Sequence, residues 1–208
     1  FRLSTVYPQI RVQIRAMPNA VFFDLEFTAW EGSMASGWLA PGQFREIVQI
    51  GAVKMEMTTL ETLGEFNCLV RPRINRELSV YFENLTGITN AMVAGRGIDF
   101  EAAYREFISF LGGAPICSFG RDDIVLEGNL ALYAIRGAPK LPPHCNVMPW
   151  LARHGIDMTG RHSCDVARAC GVAFTGRAHD AFDDARSVAS GVSALIKRGA
   201  HSPFAAST

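Results

Sequence analysis

The stretch Phe22-Phe23-Asp24-Leu25-Glu26-Phe27-Thr28 constrains this chain more than any other. An apolar run, Val21-Phe22-Phe23, ends in two carboxylates at alternate positions. Side chains on a strand repeat every two residues, so Asp24 and Glu26 project from one face. Two anions held that close repel unless a cation lies between them. Hard divalent cations such as Mg²⁺ take oxygen ligands and would relieve the repulsion. A strand end with two solvated acids is the plainer alternative, and the pair alone does not choose.

Two other regions carry acids in similar settings. From Asp180 to Lys197 the apolar residues Ala181, Ala185, Val188, Val192 and Leu195 fall on one helical face. At roughly 100° per residue, Asp184 lies beside that face and Asp183 nearly opposite. A carboxylate on the buried side is costly unless it is paired or bound to a metal. His179 stands just before this helix, after the turn Gly176-Arg177-Ala178. By itself it reads as a structural cap; beside an inward Asp184 it reads as chemistry. Further upstream, Pro115 to Phe119 has the look of a short buried strand, and Gly120-Arg121-Asp122-Asp123 opens the next helix. The carboxyl end of a strand is where α/β sheets place their sites. Periodicity does not separate Asp122 from Asp123. Four carboxylates brought together could hold two divalent ions ~3.5–4 Å apart, the arrangement used in phosphoryl transfer. A histidine, with an ordinary pKa of ~6.5, is suited to taking a proton from water.

The remaining chain supplies the frame. At 208 residues and 49% hydrophobic it can build one full domain. That domain is expected over 17–200, with 1–16 a basic extension (or, less well supported, a targeting peptide) and 201–208 a tail. Glu46 to Met55 and Thr62 to Val70 read as strands that form an antiparallel meander with the first. Leu78 to Leu85 has a helical look, Asp99 caps a helix through Leu111, and Val147 to His154 is a strand or a helix edge. The Gly-, Ser- and Pro-rich loop from Glu31 to Gly42 contains Trp38 and follows Trp30. These rings could stack on bases or anchor the loop to the body. Formal charge is zero, so attraction for a polyanion has to be local. Five scattered cysteines without CxxC pairing fit reduced thiols in a cytoplasmic protein. The spacing of Cys145, His162, Cys164 and Cys170 matches no known zinc finger. No apolar run approaches the ~20 residues that span a bilayer.

The order Asp-x-Glu, Asp, then His with Asp five residues on resembles the DEDDh (DnaQ-like) family of 3′→5′ exonucleases. Four stretches carry the resemblance: Phe23-Asp24-Leu25-Glu26, Leu85-Thr86-Gly87-Ile88-Thr89, Ser118-Phe119-Gly120-Arg121-Asp122-Asp123 and His179 through Ala185. The run from Arg71-Pro72 to Thr89 is most similar to the Eri-type and KapD-like branch, many of whose members act on RNA 3′ ends. Phe119 departs from that branch, where tryptophan is usual.

The resemblance implies an α/β, ribonuclease H-like fold: a mixed five-stranded sheet, its first three strands antiparallel, flanked by helices. It implies two Mg²⁺ (or Mn²⁺) held by Asp24, Glu26, Asp123 and Asp184, with Asp24 bridging both. Asp123 is selected over Asp122 because the family's third motif places its acid three residues after the glycine. His179 would be the general base, Phe27 and Thr28 would line the 3′-terminal nucleotide, and Arg177 and Arg121 would contact phosphate. The implied partner is a nucleic-acid 3′ end, RNA favoured over DNA, and the product a nucleoside 5′-monophosphate. Relatives include monomers and dimers, so a homodimer is compatible. A non-catalytic nucleic-acid-binding module keeping the fold is the alternative of another class; such modules usually lose a ligand, and here all five positions are filled. An endonuclease of the same broad fold fits less well, because His179 belongs to the exonuclease pattern.

Overall fold

Strand β1 (Asn19–Phe27) is the centre of the sheet. The structure, a computed structural model, describes residues 19–205, so the expected 1–16 extension lies outside the described residues. On one side β1 pairs antiparallel with β2 (Ile47–Glu56), which pairs antiparallel with β3 (Thr62–Arg71). On the other side it pairs parallel with β5 (Ile116–Ser118). Strands β4 (Ile98–Asp99) and β6 (His144–Asn146) complete a six-stranded sheet in the order β4-β3-β2-β1-β5-β6. The sheet is thus mixed and begins with three antiparallel strands, as expected, but has six strands and not five. The short strands escape sequence reading because two or three residues carry no period. Asp99 is also the N-cap of the following helix, which masks β4 further.

The alternation of β1 decides what each face meets. Val21, Phe23 and Leu25 join a core with α4 (Phe100–Leu111), whose Phe107 ring lies 5.6 Å from that of Phe23. Phe22 joins the opposite core with Val188 and Val192 of α8 (Ala181–Lys197). A strand buried on both faces reads as a continuous apolar run. Period two then puts Asp24 and Glu26 on the face of Phe22, towards α8.

What lies opposite those acids on β2 fixes where α8 begins. Asp24 is in register with Gly51 and Glu26 with Gln49. A Cβ on Gly51 would stand 2.1 Å from the backbone nitrogen of Phe182 and 2.2 Å from the carbonyl carbon of Ala181. The helix therefore touches the strand backbone directly. Gln49 secures it from the side: Oε1 accepts from the Ala181 amide at 2.9 Å, and Nε2 donates to Asp180 Oδ2 at 3.2 Å and to Asn67 Oδ1 at 3.0 Å. Asp180 caps the helix by accepting from the Phe182 and Asp183 amides.

The remaining elements are short. Helix α1 (Ser33–Ser36) lies within the loop after β1; α2 (Val80–Thr86) and α3 (Asn90–Arg96) follow β3. Helix α5 (Asp122–Leu132) follows β5, and β6 runs into α6 (Val147–Arg153), which resolves the ambiguity of 147–154 as helix. A 3₁₀ turn (Ser163–Asp165) and α7 (Val166–Ala169) precede α8. Residues 201–205, expected as tail, pack onto the domain: the Phe204 ring lies 6.0 Å from Phe22, and Trp150 Nε1 donates to the His201 carbonyl. Among the described residues no helix is long and apolar enough to cross a membrane.

The contact at Gly51 leaves no room for a methyl group. Gly51→Ala should lower stability by about 1–3 kcal/mol or more, the usual cost of overpacking. Chemical denaturation reads it directly, and an unchanged midpoint with full activity would contradict the packing described.

Candidate active site

Three elements deliver acids to one place. Asp24 and Glu26 come from the end of β1, each 8% exposed, and Asp184 from the first turn of α8, 2% exposed. His179 sits before the helix cap with φ 59°, a left-handed conformation that costs a non-glycine residue roughly 1–3 kcal/mol and marks functional positions. Ligand-capable atoms of Glu26, His179 and Asp184 all lie within 4.8 Å of one another. The periodicity argument thus holds: Asp184 is inward, while Asp183 accepts from the Arg177 amide and from Arg186 at the surface.

The fourth acid is not the expected one. Asp123 is turned away from β1. It receives both Nε and Nη2 of Arg121, at 2.9 and 2.8 Å, and lies 3.3 Å from His144 Nδ1. These partners hold its carboxyl below the usual range despite burial. Asp122, the first residue of α5, is instead the carboxylate whose charge raises the pKa of both Asp24 and Glu26. Counting three residues from Gly120 selects the wrong neighbour because adjacent helical positions differ by ~100°. Arg121, committed to Asp123, is accordingly not a free phosphate contact.

The electrostatics of the cluster call for a cation. Burial, then the charges of Asp122, Asp184 and Glu26, push Asp24 well above the ordinary carboxylate value. Glu26 is raised in the same way by burial and by Asp184, Asp180 and Asp122. Burial pushes Asp122 and Asp184 each up to about 7. His179 is lowered by burial and by the neighbouring His162, so it is neutral at pH 7 and able to accept a proton. Asp184 Oδ1 is buried without any hydrogen-bond partner, although Oδ2 accepts from Ser163. Burial alone does not make such a site. Glu46 is fully buried too, yet its oxygens accept from the amides of Arg73, Ile74 and Asn75 and from Tyr133, and it is satisfied. An all-carboxylate set with an orphaned oxygen fits hard divalent cations such as Mg²⁺ or Mn²⁺.

A cavity of about 290 Å³ opens onto Asp24, Glu26, His179 and Asp184. Phe27, Trp30, Trp38 and Tyr81 form an aromatic side to it. Trp38 serves both expected roles: it lines the cavity, and its Nε1 donates to the Thr28 carbonyl at 2.8 Å while its ring meets Phe27 at 5.4 Å. Arg45 lies over the Trp38 ring, 4.4 Å from its centroid. Two expected contacts are placed elsewhere. The Thr28 hydroxyl points inward, donating to the Phe44 carbonyl and accepting from the Glu46 amide. The Arg177 guanidinium lies against Gly87 at the end of α2, where a Cβ would meet Nη1 at 2.1 Å. His162, noticed in the sequence only through its cysteine neighbours, lines the cavity with its ring 5.5 Å from that of His179. Cys145 instead adjoins Cys117 across β5 and β6.

Comparison with known proteins agrees with this geometry. The RNase_T exonuclease family model matches residues 21–190. No curated protein matches the sequence. Among solved structures, a 3′-exonuclease described in 3′-end-specific recognition of a histone mRNA stem-loop is similar at TM-score 0.72 and 22% identity, over 88% of this chain and 83% of that one. The nuclease domain of 3′hExo, a DEDDh family member bound to rAMP, gives 0.73 and 22%, over 88% and 93%. Cell-death related nuclease 4 gives 0.72 and 19%, over 88% and 65%. Identities this low carry the fold.

The raised acids make a prediction about stability. Asp24, Glu26, Asp122 and Asp184 bind protons more tightly folded than unfolded, so their contribution is complete below their ordinary values and is lost as pH rises through about 7. His179 and His144, lowered by burial, act oppositely on the acid side of 6.5, two groups against four. In chelator, the thermal midpoint should fall as pH is raised from about 5 to 7.5, and excess Mg²⁺ or Mn²⁺ should restore it. A midpoint indifferent to both pH and metal would contradict the cluster.

Proposed function

This chain belongs to the exonuclease family, with the ribonuclease H-like fold of its DEDDh members, and we propose that it removes nucleotides one at a time from the 3′ ends of single-stranded nucleic acid, RNA in preference to DNA. The observation that carries this reading is the convergence of Asp24, Glu26, Asp122 and Asp184 on one cavity with a neutral histidine at its edge. Two divalent cations, when bound, would supply charge neutralisation and stabilise the attacking and leaving oxygens of an in-line displacement. Asp24, Glu26 and Asp184 would hold them, with Asp122 in the place first given to Asp123.

His179 takes a proton from water as its oxygen attacks the terminal phosphodiester. The bond from phosphorus to the 3′ oxygen of the preceding nucleotide breaks, and that oxygen leaves protonated. A nucleoside 5′-monophosphate and a strand shortened by one unit result. Phe27, Trp30 and Tyr81 offer faces against which the terminal base can stack, a contact worth ~1–3 kcal/mol per base and tolerant of sequence. The preference for RNA rests on the likeness of Arg71–Thr89 to RNA-trimming relatives. The five free thiols fit a cytoplasmic setting.

Digestion of 3′-labelled single-stranded RNA, single-stranded DNA and duplexes with Mg²⁺ tests the reading. Mononucleotide release should be fastest from single-stranded RNA, and a 3′-blocked strand should resist. Equal cutting of the blocked strand would mean an endonuclease; binding without turnover would mean a non-catalytic module. His179→Ala should lower kcat by about 10²–10⁴-fold. Asp122→Asn should cost far more activity than Asp123→Asn, whose effect should fall on stability; the reverse order would restore the assignment to Asp123.

A further inference from the structure

Ser163 is a buried serine, 8% exposed, at the first position of the 3₁₀ turn before α7. Its hydroxyl caps nothing in its own turn. It donates instead to Asp184 Oδ2 at 3.0 Å, across to α8, and lies within hydrogen-bonding reach of the Asp24 carboxylate on β1. One hydroxyl thus meets acids from two different elements.

We propose that Ser163 is a positioning residue for the metal centre, fixing the Asp184 carboxylate through Oδ2 so that Oδ1 is held free to ligate a divalent cation. The proposal rests on the exonuclease reading above and deepens it. Three observations support it. First, Asp184 Oδ1 is buried and has no partner, so the two oxygens of one carboxylate have different tasks. Second, Ser163 is itself held. Ser187, three residues beyond Asp184 on α8, donates its hydroxyl to the Cys164 carbonyl at 3.0 Å and accepts from the Ala167 amide at 3.1 Å. The same helix face approaches α7 so closely that a Cβ on Gly191 would stand 2.7 Å from Val166 Cγ1. Third, a serine that merely satisfied a buried acid would have no reason to be shared with Asp24. A rigid support behind a ligand is what sets its orientation, and losing such a support typically weakens metal binding about 10–100-fold.

The test titrates Mn²⁺ into wild type, Ser163→Ala and Ser163→Thr of the full chain by calorimetry, alongside far-UV circular dichroism and metal-dependent digestion. Ser163→Ala removes one oxygen and creates no new contact. Its Mn²⁺ affinity should fall by about 10-fold or more, with folded-state spectra unchanged. Digestion should recover to within a few fold at saturating Mn²⁺, placing the defect in metal requirement and not in chemistry. Ser163→Thr keeps the hydroxyl and should bind Mn²⁺ better than Ser163→Ala. A folded Ser163→Ala with wild-type Mn²⁺ affinity overturns the proposal while leaving the exonuclease reading intact. Wild type that neither binds Mn²⁺ nor degrades a 3′ end overturns that reading and the proposal with it.

Discussion

The site depends on the direct contact between Gly51 and the first turn of α8. Helix starts commonly stand a side chain away from the sheet beneath them; here the backbone of Ala181 and Phe182 rests on a strand position without a Cβ. That approach brings Asp184 to the carboxylates of β1, whose register partners on β2 are Gly51 and Gln49. The residues opposite the two acids are thus the two that dock the third. Gln49 fixes the helix by its amide and its cap together, so α8 neither slides along the strand nor rotates about its own axis without losing hydrogen bonds.

This rigidity works against electrostatics. Carboxylates from β1, α5 and α8 are pressed together in a buried place, and each raises the pKa of a neighbour or has its own raised by burial. A flexible frame would let them move apart. The frame here does not, because Phe22 and Val188 pack on the same face as Asp24 and Glu26 and hold strand and helix together. The repulsion is therefore stored in the apo protein and becomes affinity for a divalent cation. His179, held in a left-handed conformation at the edge of the same cluster, is a second place where local comfort is given up.

The sheet order around β1, the helices α4 and α8 and the inward side of Asp184 were legible in the sequence because each rests on a period: two for β1, 3.6 for α8. Asp24, Glu26, His179 and Asp184 were found that way or by motif. What failed has a common cause. Strands β4 and β6 are too short to show a period. The hydroxyl of Thr28 and the guanidinium of Arg177 are placed by residues far away in sequence, Phe44 and Gly87, which no local pattern announces. Ser163 and His162 sit in an irregular segment whose position is set by Ser187 on another helix. Its sequence carries no sign of that.

Asp122 and Asp123 show the limit most sharply, because the chemistry separates them where the sequence cannot. They are adjacent, identical and both at the start of α5. Asp123 faces Arg121 and His144 and is held ionised; Asp122 faces the other acids and is pushed to about 7. Their roles follow from environment alone, as with other carboxylate pairs split by burial and partner. The two are not independent. Ser118, hydrogen-bonded to His144 Nε2 at 2.9 Å and to Asp122, joins the ion pair to the cluster. Asp123 anchors the start of α5 to β6 through His144, and that anchor presents Asp122 to β1. An acid outside the metal cluster thereby sets the position of one inside it.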